Sequence, residues 1–298
     1  MIYLKQVKRN FLLEYLSFFK NIEMNKKILT ILITMMIGAT AIAQLPNEDR
    51  YFETKRSPEP FLFSVSTLTP QDLHWSLNYS TSYGERVTGP FGYDGIGQQF
   101  ALKGYIGKQF TLYANAALGF PRNDNVSSAQ QVEIIRDFIG GKKSLGLRLG
   151  LGLGVSRDYN NVKSVLSRVT VSYDAPRWKT AGNILLEKAY AENRDNIDVI
   201  MSLGLHYRLS GNLYGGFETV GEDLEGFWDA EEAEGGAKLL IGPSLNMTTN
   251  NSRLSFSVSG GPVFYATRSP LSNAEALREL PSQPGLTLRA RVIFNLSQ

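Results

Sequence analysis

The chain has 298 residues, with 31 Lys and Arg against 28 Asp and Glu, two histidines and no cysteine. The lack of cysteine excludes disulfides and thiolate chemistry, and two histidines do not favour a zinc or haem site, so no cofactor or metal is expected. Six of the basic and two of the acidic residues lie in residues 1–43, which leaves residues 44–298 with a net charge of −1. The basic balance of the whole chain is therefore no argument for a nucleic-acid partner.

Residues 24–43 have the order of a secretory signal peptide. Lys26 and Lys27 precede an apolar run over 28–38, and Ala-Ile-Ala ends at Ala43. This order predicts export with cleavage after Ala43. A membrane anchor is the alternative, but the run is about half of the ~20 residues that span a bilayer. Residues 1–23 are interpreted as an upstream extension with Met24 as the working start, or else as an unusually long n-region.

Residues 44–72 form a distinct segment before the first predicted strand. The segment is charged and contains several prolines, and it becomes apolar at Phe61, Phe63 and Val65. Three interpretations stay open: a periplasmic N-terminal segment, a plug inside a barrel, or an additional strand.

From residue 73 to the end, apolar residues recur at every second position in long segments. In 145–155, Leu145, Leu147, Leu149, Leu151, Leu153 and Val155 alternate with four glycines and Arg148. Such alternation predicts strands with one face in an apolar medium, and 9–11 tilted residues suffice to span a bilayer. About twelve strands are predicted, with fourteen possible: 73–83, 98–106, 110–120, 131–139, 145–156, 163–173, 178–190, 197–209, 213–220, 236–247, 253–265 and 285–296. In the fourth of them either face must carry a charge, Arg136 or Asp137, so its facing stays open.

The connections between these strands are alternately short and long. An outer-membrane barrel has short periplasmic turns and longer external loops. Aromatic residues of the apolar faces also sort to the strand ends, as expected at membrane interfaces. The periplasmic belt comprises Trp75, Phe110, Tyr173, Trp178, Tyr207 and Phe294, and the external belt Tyr83, Phe120, Tyr190 and Phe264.

In its signal peptide, its alternating strands, its loop pattern and the terminal strand ending RVIFNLSQ, the chain resembles the outer-membrane β-barrel proteins of Gram-negative bacteria. The resemblance covers residues 73–298 and implies an all-β, transmembrane, antiparallel up-and-down barrel in the outer membrane. It also implies outer-membrane lipid and the barrel-assembly machinery as partners.

The second face of the strands carries small residues and scattered basic residues rather than the dense mixed charge of a soluble surface. This pattern predicts an enclosed polar lumen. The lumen-lining candidates are Lys103, Arg148, Arg168, Arg208, His206, Lys238, Arg289 and Arg291, with Lys179 on the same face, against the clear inward acids Glu187 and Glu218.

A passive channel for small polar, anionic solutes is the function that these cations favour, because arginines along a lumen attract anions. The channel would resemble narrow twelve-stranded channels for acidic saccharides, and no enzymatic activity is expected. Alternatively, the cations pair with carboxylates and close the lumen, as in a structural or accessory barrel of a secretion or surface-assembly system.

Two further hypotheses carry less support in the sequence. A lipid hydrolase would need a serine within reach of His74 or His206, but Ser202 lies four strand positions from His206, about 13 Å away. The acidic stretch over 221–236 lacks the spacing of a calcium loop and is interpreted as a solvated external loop, with ion binding or gating as the alternative.

Overall fold

The structure is a computed structural model, and it describes residues 59–70, 72, 75–84, 95–120, 126–143, 145–190, 197–227, 237–249, 253–265 and 285–296. All of these residues belong to one compact unit that spans residues 53–298. The expectations for residues 1–43, His74 and most of the acidic stretch 221–236 lie outside the described residues and stay predictions. In the described ranges, no helix is long and apolar enough to cross a membrane.

Twelve antiparallel strands make up the described fold, and each pairs with its neighbours in the chain. The first strand also pairs with the last, for example Tyr79 with Val292, so the sheet closes into an up-and-down barrel. Closure removes the unpaired edges that long apolar strands would otherwise present. The predicted fold and the predicted number of twelve strands are confirmed. The strands are β1 (Trp75–Gly84), β2 (Gly95–Gly107), β3 (Phe110–Phe120), β4 (Ser127–Ile139), β5 (Gly146–Arg157), β6 (Lys163–Asp174), β7 (Trp178–Ala189), β8 (Asp198–Ser210), β9 (Leu213–Glu222), β10 (Lys238–Thr248), β11 (Leu254–Tyr265) and β12 (Gly285–Asn295).

The outer face of the barrel is apolar, because alternate side chains of each strand point outward. On β5, Leu151 and Leu153 are 50% and 69% exposed, whereas Arg148 between the outward leucines is 5% exposed. Single exposed aliphatic residues are ordinary on a water-facing surface, but a continuous apolar wall requires an apolar medium. The strand pattern therefore places apolar groups on the outer face of the barrel and polar groups on its inner face, as in an outer-membrane barrel.

Strand β4 presents its acids to the interior, which settles the facing that the sequence left open. Glu133 and Asp137 are each 1% exposed, whereas Arg136 points outward. The guanidinium of Arg136 lies 5.2 Å from the ring centroid of Phe110 and 5.3 Å from that of Phe138. Stacking on two aromatic rings lets this cation stay on an otherwise apolar face near a strand end.

The connections define two ends of the barrel. One end carries 108–109, 140–145, 175–177, 211–212 and 249–253, and the other carries 85–94, 121–126, 158–162, 190–197, 223–237 and 266–284. The second set is the longer one as a whole, as predicted, but the two sets overlap: 140–145 is as long as 121–126, and 249–253 is as long as 158–162. Lys108 and Gln109 have φ of 48° and 66°, and two such residues form a type I′ hairpin whose twist suits the strands. We refer to the two ends as the short-connection end and the long-connection end.

Candidate functional site

A segment of the chain itself, residues 59–69, lies inside the barrel, and we call it the lumenal segment. Phe61 and Leu68 are 1% and 0% exposed. The lumenal segment forms no strand and does not pair with the sheet. Residues 59–69 thus lie in the lumen without strand pairing; residues 44–58 lie outside the described residues, and the interpretation of the segment 44–72 as a whole stays a prediction.

Side chains of the barrel wall satisfy the backbone of the lumenal segment. The Oε2 atom of Glu218 accepts hydrogen bonds from the N–H groups of Leu62 and Phe63 at 2.8 and 2.9 Å. Asn183 accepts one from the N–H of Val65 at 2.6 Å and donates one to its carbonyl at 2.9 Å. Because an unpaired buried backbone group is costly, these bonds fix the position of the segment.

The later half of the lumenal segment is held by β3, β4 and β5. Arg148 donates to the carbonyl of Thr67 at 2.7 Å, and the hydroxyl of Thr67 donates to Asp137 at 2.8 Å. The N–H of Leu68 donates to the hydroxyl of Thr111 at 2.9 Å. The segment therefore crosses the lumen and contacts opposite sides of the wall.

Apolar side chains of the lumenal segment pack on an apolar part of the inner wall. Leu62 and Phe63 form a buried cluster with inward residues of β6 to β11, namely Leu166, Leu185, Ile200, Val220, Leu240 and Val263. The ring of Phe61 lies 4.4 Å from that of His206, measured between centroids. The predicted lumen is thus not polar throughout, and its apolar part receives the aromatic residues of the segment.

The carboxylate of Glu59 is bound by three side chains of the wall, which we call the carboxylate fork. Lys103 of β2 contacts Oε1 at 2.8 Å, and Asn78 of β1 donates to Oε2 at 2.5 Å. A guanidinium nitrogen of Arg291 of β12 lies 3.6 Å from Oε2. Arg291 also donates to the carbonyls of Glu59 and Phe61, at 2.6 Å each.

The carboxylate fork belongs to a sector of the wall that contains no acid. None of the described residues of β11, β12, β1, β2 and β3, which are adjacent in the barrel, is Asp or Glu. Three cations point inward from this sector, Lys103, Arg289 and Arg291. We call these five strands the positive sector. Glu59 of the lumenal segment contacts two of these cations, Lys103 and Arg291, with its carboxylate.

Next to the positive sector, Arg168 of β6 forms a two-point ion pair with Glu133 of β4. Its Nε and Nη2 atoms lie 2.8 and 2.7 Å from the two carboxylate oxygens. Strand β5 runs between them, and a Cβ atom added to Gly152 would lie 2.9 Å from Ile135 and 3.4 Å from Arg168. The inward glycines of β5 therefore give neighbouring wall side chains room to meet across the strand.

The eight predicted lumen residues all point into the barrel. Lys103, Arg148, Arg168, His206 and Arg289 are buried, and Arg208, Lys238 and Arg291 are partly exposed. Five of them contact the lumenal segment: Lys103, Arg148, His206, Arg289 and Arg291. Arg208 instead donates to the hydroxyl of Tyr214 at 2.7 Å, and Lys238 begins β10 at the long-connection end. Their role as the lining of a conducting pore stays a prediction.

Sequence reasoning missed most of the acids that face these cations. Glu59, Glu133 and Asp137 are buried, and Asp174 lies 2.7 Å from Arg148. The spacing of Glu133 and Asp137, four apart on one strand face, was an available signal. The excess of positive charge in the lumen is therefore smaller than the sequence predicted, and it is concentrated in the positive sector.

His206 has no serine partner in the described part of the chain. Neither ring nitrogen makes a hydrogen bond, and one face of the ring meets Phe61. Ser202, on the same strand face, accepts a hydrogen bond from Ser64 at 3.0 Å instead. A base must reach the proton that it abstracts, so this geometry gives the hydrolase hypothesis no support.

A small cavity of about 90 Å³ remains beside the lumenal segment. One side is polar, with Asn78, Arg168 and Arg291, and the other is apolar, with Phe63 and Leu185. One water needs roughly 10–15 Å³ of cavity volume. The cavity therefore has room for several waters or for one small organic group.

The closed strand order, the apolar outer wall and the polar inner wall define a porin-like β-barrel of the outer-membrane type. In the described residues its lumen is occupied by a segment that precedes the first strand.

No family model matches the sequence, and no curated protein matches it. Among solved structures, the chain is similar to the KdgM porin in complex with disordered oligogalacturonate, with 8% identity, 74% of this chain and 98% of that chain covered, and a TM-score of 0.48. It is also similar to the NanC porin, with 12% identity, 74% and 100% coverage, and a TM-score of 0.47. For Omp33 of Acinetobacter baumannii the identity is 9%, the coverage 75% and 98%, and the TM-score 0.38.

Proposed function

We propose that the protein is a passive outer-membrane channel for small polar, anionic solutes, which the lumenal segment closes in the conformation described above. The observation that carries this proposal is the positive sector: five adjacent strands with three inward cations and no acid in their described residues. When the lumenal segment leaves, Lys103, Arg289 and Arg291 lose their contacts to it. Cations along an aqueous lumen favour the passage of anions.

The lumenal segment can leave without breaking the barrel. The strands pair with one another around the complete circle, and the segment contributes no strand to that pairing. It is held by side-chain contacts from the wall, such as those of Glu218, Asn183 and Arg148. Release therefore exchanges these contacts for water and leaves the wall intact.

The location and the partners follow from the same proposal. A signal peptide over 24–43 would direct export, outer-membrane lipid would cover the apolar wall, and the barrel-assembly machinery would insert the chain. Nucleic acid has no part in this function.

A reversible cross-link tests the proposal. The hydroxyl oxygens of Ser64 and Ser202 lie 3.0 Å apart, so cysteines at both positions can form a disulfide with little movement. The chain has no other cysteine. Thr248 and Ser255, also 3.0 Å apart, give a matched control disulfide between two wall strands that leaves the lumenal segment free.

Single-channel recording in a planar bilayer under a KCl gradient is the measurement. We expect anion-selective openings of the reduced S64C/S202C protein, their loss on oxidation and their return with dithiothreitol. The T248C/S255C protein should conduct in both states. Cation-selective openings would contradict the anionic preference. If neither the reduced protein nor a variant lacking residues 59–69 conducts, a closed structural or accessory barrel replaces the channel.

A further inference from the structure

Glu59 is the only charged residue of the lumenal segment, whose sequence is EPFLFSVSTLT. Its carboxylate lies in the carboxylate fork, with Lys103 at 2.8 Å, Asn78 at 2.5 Å and Arg291 at 3.6 Å. Glu59 and Lys103 are 2% and 0% exposed. At this point the wall binds the segment through one carboxylate group. The contacts are those by which a protein site binds an anion.

The fork is built by the wall and not by the segment. Lys103 is the register partner of Ser76, and Arg291 is that of Ser80, so both lie beside Asn78 on three adjacent strands. Strand pairing sets these positions whether or not the segment is in place. The two positive charges and the amide donor of the fork thus stay on neighbouring strands when Glu59 withdraws.

The fork borders the cavity that remains beside the lumenal segment. Glu59, Asn78 and Arg291 of this site all border the cavity of about 90 Å³ beside the segment. A carboxylate in the cavity would lie beside Asn78 and Arg291, two of the three side chains that now bind Glu59. Withdrawal of Glu59 without a replacement would leave the Lys103 charge buried and uncompensated, which is strongly unfavourable. An exchange of one carboxylate for another avoids this cost.

We propose that the carboxylate fork is a binding site for the carboxylate of a small acidic solute, and that Glu59 is its resident occupant. A solute that binds the fork competes with Glu59 and so favours release of the lumenal segment. This inference rests on the proposed function, since it names how the same lumen would be opened by the solutes that pass through it.

The rate of disulfide formation in the S64C/S202C protein measures how often the lumenal segment occupies its site. The probe is sodium glucuronate, with glucose as the neutral control and sodium sulfate as a second anion, all at equal ionic strength. At ten times its dissociation constant, a competitor lowers the ratio of docked to released segment roughly tenfold, and this factor is the upper bound for the fall in the occupied fraction. We expect glucuronate to slow disulfide formation by up to that factor, and glucose and sulfate to leave the rate unchanged.

The E59L/K103M variant in the same cysteine background is the matched control, because it removes the resident carboxylate together with the fully buried cation of the fork, and leaves Arg291, which is partly exposed, as the remaining charge. Its disulfide should form at a rate that glucuronate does not change. An equal effect of glucuronate in this variant, an equal effect of glucose or sulfate in the parent, or no effect of glucuronate in the parent would each overturn the inference.

The channel and the carboxylate fork can be contradicted independently of each other. Slowing by glucuronate without any conductance of the reduced protein supports the fork and contradicts the channel. Conductance of the reduced protein without slowing by glucuronate supports the channel and overturns the fork.

Discussion

The ring of Phe61 lies directly on the backbone of Gly204. A Cβ atom added to Gly204 would come within 2.3 Å of the Cδ1 atom of that ring, closer than side-chain carbons approach one another. Gly204 is an inward position of β8, adjacent in register to Glu218, which binds the backbone of the next two residues of the lumenal segment. The lack of a side chain at Gly204 is therefore a requirement for docking of the segment.

Replacing Gly204 by leucine should expel Phe61 and open the lumen. Loss of about 1.5–3 kcal/mol of phenylalanine burial corresponds to roughly a ten- to hundredfold larger released fraction. Single-channel open probability measures this change. Gly182→Leu is the control, because Gly182 faces outward and its added Cβ would find its nearest neighbour at 3.3 Å. Equal open probabilities in the two variants would contradict the role given to Gly204.

Removing one member of the Arg168–Glu133 pair should destabilise the barrel. Arg168→Met leaves the buried carboxylate of Glu133 uncompensated, and breaking a buried pair in this way costs about 3–5 kcal/mol. Urea-induced unfolding in lipid vesicles, followed by tryptophan fluorescence, measures the loss. The double variant R168M/E133L should regain most of it. A single variant as stable as the parent would show that the pair contributes little.

Replacing Gly150 by tryptophan should impair folding rather than only narrow the lumen. Even a Cβ atom here would lie 2.7 Å from the hydroxyl of Thr170 and 3.0 Å from Asp137, which binds Thr67 of the lumenal segment. Overpacking of such a site costs typically 1–3 kcal/mol or more. Heat-dependent mobility on SDS gels reports the folded fraction. Leu149→Trp, at an outward position of the same strand, should fold normally; equal folding of both variants would contradict the prediction.

Neutralising the arginines of β12 should weaken anion selectivity. Arg289→Gln and Arg291→Gln together leave Lys103 as the inward cation among the described residues of the positive sector. In a variant background that lacks residues 59–69, the reversal potential under a KCl gradient should move towards zero. Arg136→Gln is the control, since Arg136 lies on the outer face between Phe110 and Phe138. An unchanged reversal potential in the double variant would exclude the positive sector as the selective element.

The barrel itself could be predicted from sequence because its determinants are periodic and local. Alternation places Leu147 outward and Arg148 inward whatever the rest of the chain does, and the strand number follows from counting such segments. Strand β4 was harder, since Arg136 breaks the pattern on the outer face and is accommodated there only through two aromatic rings. One of these rings belongs to the neighbouring strand, so the alternation of residues along β4 alone could not predict the contact.

The contents of the lumen could not be predicted in the same way. The sequence indicated that Lys103 and Arg291 point inward, but their partner Glu59 precedes the barrel and follows no period. The contact is long-range: 44 positions separate Glu59 from Lys103. Likewise, the glycines of β5 suggested free space beside Arg148, whereas neighbouring wall side chains such as Ile135 and Arg168 use part of it. Which of these side chains are in contact follows only from the strand register of the closed barrel.

The position of Glu59 is also related to closure of the barrel, in which the first strand pairs with the last. Its three partners belong to β1, β2 and β12, so its carboxylate lies across the seam where the first strand meets the last. Those strands come together only when the cylinder closes, and the three donors are then assembled for the first time. Complete binding of the Glu59 carboxylate therefore requires a closed barrel, and it links the two strands of the seam through a side chain that belongs to neither of them.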